Sequence, residues 1–115
     1  MENRTKIPHK ELLLKDLCAR LPYGIKVQVY EWAALDTELK IAHIKRLQND
    51  EIELKPYLCP LTSMTEKEKT EFFQLMGNGT DIQRIDFYLS HYFDFRCLIP
   101  MGLALEAKEG MYKID

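Results

Sequence analysis

Long apolar runs are missing from this chain. None approaches the ~20 residues that a membrane-spanning helix needs, and the first ten residues, Met1 to Lys10, lack the apolar centre of a secretory leader. Cysteine is sparse: Cys18, Cys59 and Cys97 stand far apart, without CxxC or CxH spacing. An odd, dispersed set argues against a disulfide framework and for a reducing compartment, so a cytoplasmic location is expected. Charge of one sign is lacking too. The chain carries 16 basic and 18 acidic residues and a formal net charge of -2. Such a balance gives no overall pull towards nucleic acid or an anionic membrane. There is no internal repeat and no low-complexity tract. No glycine-rich phosphate loop occurs either, because Gly77-Asn78-Gly79 follows a helical pattern and lacks the strand-to-helix setting such a loop requires.

The chemistry of sites is equally thin. His9, His43 and His91 do not share a turn or a helix face with one another or with the cysteines at ligand spacing. No metal and no cofactor is therefore expected. Cys18 falls on an apolar helical stripe and reads as a small packed hydrophobe rather than an activated thiol. No catalytic residue and no nucleophile–base set can be named, so an enzyme ranks last among the function classes.

What is present suits one small α+β domain over residues 1–115, with 1–9 as a frayed lead-in. The apolar fraction, 46%, is that of an ordinary globular chain. Leucines at 13, 14, 17 and 21, with Cys18, predict a helix over Lys10–Leu21 that stops before Pro22. Ile25, Val27 and Val29 alternate with Lys26, Gln28 and Tyr30, which predicts a half-buried strand. Ala33–Glu38 reads as a connection, and Leu39–Leu47 as a second strand with blurred alternation. Gln48-Asn49-Asp50 is a turn by composition. Glu51–Leu58 is a third strand with Ile52 and Leu54 inward and Pro56 at an edge or an end. These three strands predict an antiparallel meander.

Two helices follow. Thr65 to Glu68 has capping-box spacing, and the first helix runs to about Met76 before Gly77-Asn78-Gly79. Thr80 or Asp81 caps the second, where Ile82, Ile85, Leu89 and Phe93 predict a buried stripe. Asp94–Ile99 is one helical turn or a corner. Leu103–Ala107 and Met111–Ile114 around Lys108-Glu109-Gly110 predict a C-terminal β-hairpin.

Three blocks carry a resemblance: Lys15–Lys26, Lys55–Thr65 and His91–Tyr112, nearly half the chain. They resemble a family of small uncharacterised proteins encoded by gut anaerobic bacteria and their phages and mobile elements. Cys59 stands where that family's pattern has arginine, and Cys97 where it has glycine. The resemblance implies a genetic setting rather than a reaction.

The first-ranked expectation is a non-enzymatic interaction protein, a phage- or mobile-element-associated accessory that binds another protein. It requires an exposed apolar patch around Trp32, Tyr88 or Tyr92, or an open sheet edge. Candidate binding residues are Tyr30, Trp32, Tyr88, His91, Tyr92 and Arg96. Each has a plainer reading: Tyr30 and Trp32 packed under a helix or loop, and His91, Asp94 and Arg96 holding a corner by hydrogen bonds. The alternative function is a nucleic-acid-binding domain, with the hairpin as the wing of a winged-helix-like C-terminal half or with Lys26, Tyr30 and Trp32 as an aromatic–basic sheet face. The helix after Asp81 holds a single basic residue, Arg84, which counts against recognition of DNA by that helix.

Overall fold

The computed structural model describes residues 9–112. The chain is α+β, with four α-helices and four strands in mixed pairing among the described residues. Its internal contacts gather into two compact units, Met1–Pro56 and Tyr57–Asp115.

The first unit opens with α1, Lys10–Arg20. Its buried stripe is Leu13, Asp16, Leu17 and Arg20, rotated from the all-apolar stripe expected. Cys18 is exposed, which corrects its reading as a packed hydrophobe. The stripe turns because Asp16 and Arg20 satisfy each other at 2.7 Å, so two charged side chains can take core positions. After Arg20 the chain tightens into a 3₁₀ turn, Leu21–Tyr23, which accepts Pro22 in its first turn. Gly24 then takes φ 77°, a left-handed conformation that glycine adopts without a Cβ penalty.

Strand β1 is Lys26–Tyr30, with Val27 and Val29 buried as the alternation requires. The next two elements overturn expectation. Ala34–Glu38, read as part of a connection, is strand β2; Leu39–Leu47, read as a strand, holds helix α2, Ile41–Gln48. Asp36 and Glu38 are poor strand formers, but β2 is held by pairing, with Glu38 opposite Lys26 and Asp36 opposite Gln28. The blurred alternation of 39–47 was a helical pattern: Ile44 and Leu47, three apart, turn inward, and Lys45 and Arg46 suit the negative end of the helix. The turn at Gln48–Asp50 stands, with Asp50 left-handed.

Strand β3, Glu53–Leu58, pairs antiparallel with β1 through Glu53–Pro56. The order is thus β2-β1-β3, with β1 central. Two of the three expected strands are present, with β2 in place of the second, and they do not form a meander, because β2 does not pair with β3. Pro56 lies on the stretch of β3 that pairs on one side only, where a missing N–H is tolerated.

In the second unit, Tyr57 and Leu58 of β3 pair in parallel with β4, Leu105–Glu106. The predicted C-terminal hairpin is not what forms: β4 joins β3, and Lys108–Gly110 is a turn closed by Met111 N–H donating to the Lys108 carbonyl. Gly110 is left-handed; residues 113–115 lie outside the described residues. Helices α3, Glu66–Asn78, and α4, Asp81–Ser90, each begin with a reciprocal capping box, Thr65 with Glu68 and Thr80 with Gln83. Each cap contributes about 1 kcal/mol. Gly79 ends α3 because a Cβ there would come within 2.7 Å of the Leu75 carbonyl oxygen.

The stripe expected on α4 is also corrected. Ile82 and Ile85 are exposed, while Leu89 and Phe93 are buried as expected and Phe87 is buried with them, with Arg84, Tyr88 and His91 half-buried. The aromatic residues prevail because Phe72 of α3 meets both Phe87 and Tyr88. Arg84 serves the helix ends: it donates to the Leu75 and Gly79 carbonyls and to Asp81. After α4, Asp94 is buried and its carboxylate accepts from the Leu98 and Ile99 N–H groups, fixing a corner.

Candidate functional site

Two groups of candidate residues emerge, one in each unit. In the first unit Tyr30 ends β1, and Trp32 lies in the three-residue loop Glu31–Ala33 that leads into β2. Trp32 is 95% exposed, which overturns the expectation that it packs under a helix or loop. Tyr30 is half-buried. Burial, then the neighbouring carboxylates of Glu53 and Asp36, push its hydroxyl pKa upwards.

The sheet explains why apolar surface is left here. Directly opposed residues on neighbouring strands share a face. Leu54, Val29 and Leu35 therefore form one row across β3, β1 and β2. Exposure along that row climbs from 1% to 6% to 64%. The apolar row continues to the edge of the sheet, but its cover does not. A recess of about 270 Å³ lies at its end, lined by Val29, Glu31, Trp32, Ala33, Ala34 and Leu35. Among the described residues β2 pairs with no strand but β1, so it is the outermost strand of the sheet. The other face of the same strands is polar: Gln28 donates to Asp36, and Lys26 stands opposite Glu38.

In the second unit the candidates are engaged with one another's neighbours. Tyr88 stacks on Phe95 at 5.0 Å, and the Arg96 guanidinium sits 4.7 Å from the centre of that same ring. Tyr92 stacks on Tyr112 at 3.9 Å. His91 Nδ1 lies 2.8 Å from Glu68 Oε2, with its ring against Phe87 and Phe93. Tyr88 and Arg96 thus meet on Phe95, while His91 and Tyr92 belong to separate contacts. Further apolar surface is left on the helices, at Phe73 and Met76 of α3 and Ile82 and Ile85 of α4. A second recess, of about 500 Å³, lies by the end of α3 and is lined by Glu71, Gln74, Leu75, Asn78, Gly79 and Gln83.

Tyr30, His43 and Arg46 have displaced pKa values, and none of the three lines either recess. Among the described residues, no group of three or more His, Cys, Asp or Glu is placed to hold a metal ion. Arg46 pairs with Glu31 at 2.6 Å and with Glu51 at 3.5 Å, and Lys108 lies over the Tyr57 ring. Lys113 is outside the described residues. No helix among them is long and apolar enough to cross a membrane.

Sequence reasoning missed β2 as a strand, and with it Leu35. The signal was present in Leu35 and Thr37, which alternate with Asp36 and Glu38. No protein-family model matches this chain, and neither does any curated protein or solved structure.

Proposed function

We propose that this chain is a non-enzymatic interaction protein that binds another protein along the outer edge of β2, with Trp32 and Leu35 as its apolar anchors. The observation that carries the reading is the row Leu54–Val29–Leu35, which runs uncovered to an open edge beside an exposed tryptophan. A strand added beyond β2 would extend the apolar row and cover Leu35, the mode known as β-augmentation. Aromatic side chains at such positions commonly supply most of the affinity. The resemblance of the blocks Lys15–Lys26, Lys55–Thr65 and His91–Tyr112 adds the setting: an accessory of a phage or mobile element.

The test is capture from a lysate of the native host with tagged protein, at low and high salt, with and without nuclease. A partner retained at high salt after nuclease, and lost with Trp32→Ala or Leu35→Ser, is the expected result. Capture unchanged by both substitutions would remove the edge from the account. Recovery of nucleic acid at low salt alone would favour the aromatic–basic sheet face instead.

A further inference from the structure

We infer that the chain pairs with a second copy of itself through one side of the hairpin formed by α3 and α4, with Phe73, Met76, Ile82 and Ile85 as the apolar centre of the contact. This surface is separate from the β2 edge, and the inference does not rest on the reading given for that edge.

The two helices run antiparallel, because their contacts come in opposite order along the chain. Phe72 meets Phe87 and Tyr88, and the Leu75 carbonyl accepts from Arg84. Successive residues on a helix are turned by about 100°. Glu71 precedes Phe72 and Gln83 precedes Arg84, and both line the recess by the end of α3. Phe73 and Ile85 follow the same two contact residues, so they emerge on the opposite side of the hairpin. Met76 comes three residues after Phe73 and Ile82 three before Ile85, a spacing that keeps both on that side.

Exposure of the four runs from 44% at Ile85 to 80% at Ile82. Side chains of this size and exposure make an apolar patch of roughly 400 Å², as large as the patches that mark functional surfaces on soluble monomers. The smallest specific interfaces bury about 1,200 Å² in all, a little over half of it apolar. Two such patches laid face to face supply that apolar share.

Charge points to a twin rather than to a partner of one sign. The four residues are uncharged, and the charges bordering them on the same stripes are paired within the chain. Lys69, four before Phe73, lies 3.5 Å from Glu66; Asp81, four before Ile85, lies 2.6 Å from Arg84. A net charge of -2 sets little repulsion between two chains. Along a helix the backbone is satisfied internally, so the patch selects for apolar surface and for nothing else. Every copy carries such a surface, and a two-fold pair covers both at once.

The experiment follows the mass of the full chain by sedimentation equilibrium as its concentration is raised. The mass is expected to climb from that of one chain towards that of two, with a midpoint on the order of 10–100 µM, as suits a small interface. Phe73→Gln with Ile82→Gln should move the midpoint upwards by about tenfold or more, because two central anchors are lost. Circular dichroism checks the fold of each variant. Ile82→Glu, at the most exposed of the four positions, gives the same readout should the double variant fail to fold. Ile41→Gln, at an exposed aliphatic residue of α2, should leave the midpoint where it was. Added salt should not weaken the pair, because no charge holds it.

A mass of one chain at every concentration would overturn the inference. So would a dimer that survives the helix substitutions, or one lost with Trp32→Ala instead, which would move self-association to the β2 edge. A single chain that loses a captured protein when Phe73 and Ile82 are changed would assign the patch to a different partner and overturn it as well.

Discussion

Leu35 on β2 and Phe73 on α3 are exposed to nearly the same degree, 64% and 69%, yet they sit on very different backbones. Phe73 belongs to a helix, which satisfies its own N–H and C=O groups except at its ends. Leu35 belongs to an outermost strand, beyond which no further strand lies within the described residues. An apolar side chain on the helix offers only its surface. The strand offers a surface and an outer side along which a further strand can lie. Exposure values alone would rank the two alike; the difference is that one of them specifies the shape of what covers it.

The units also differ in what holds them. The first relies on a sheet row closed by aliphatic side chains and on a buried ion pair. The second relies on aromatic contacts among Phe72, Phe87, Tyr88, Phe93 and Phe95 and on a carboxylate that ties a corner. Asp16→Ala should therefore be the most damaging change. It strands Arg20 in the core of the first unit and should cost about 3–5 kcal/mol in denaturant unfolding. Asp94→Ala in the second unit releases two backbone donors and should cost less, roughly 2–3 kcal/mol by the same measurement. An equal cost for the two would erase the contrast between a buried charge pair and a capped corner.

The contrast between the exposed surfaces is sharpened by pairing substitutions. Trp32→Ala should weaken partner capture by about 2 kcal/mol or more, while changing stability by no more than ~0.5 kcal/mol. Phe73→Gln with Ile82→Gln should leave both capture and stability nearly unchanged. If the helix variants lost the partner and the Trp32 variant kept it, the roles of the two surfaces would be exchanged.

Smaller effects test local backbone and charge. Cys97 is exposed with φ 61°, a left-handed conformation in which a side chain is strained. Cys97→Gly should raise stability by roughly 0.5–1 kcal/mol in thermal unfolding. His43 accepts at Nδ1 from the Lys40 N–H at the start of α2. Burial, then Lys40 and Arg46, hold its pKa below the usual 6.5. A depressed histidine favours the neutral form in the folded state. Its contribution is complete above pH 6.5 and is lost as pH falls through the lowered folded value. His43→Gln keeps an acceptor without titrating and should flatten the stability–pH curve in that window.

Much of the fold was legible. The extent of α1, the alternation in β1, the inward Ile52 and Leu54, and the capping box at Thr65 all follow from spacing that acts over a few residues. Of the candidate site, Trp32 was named, with exposure required by the interaction reading and packing under a helix or loop by the plainer one; it is exposed. Leu35 was lost with the strand it belongs to, because two acids in five residues resemble a connection until Lys26 and Gln28 are placed opposite them. The stripe on α4 was misplaced for a similar reason. Ile82 and Ile85 have the right period, but Phe72 lies across Phe87 and Tyr88, and that contact comes from another helix.

By itself, then, the sequence determined the α+β class, the starts of α1, α3 and α4, and the turn at Gln48–Asp50. These depend on local propensity, capping and composition. The tertiary structure alone decided that β1 is central, that β2 is an outer strand, that Asp16 and Arg20 enter the core, and that Leu35 and Trp32 are left uncovered. Each of those outcomes is set by which segments meet across the chain, and the periodicity of a segment does not name its partner.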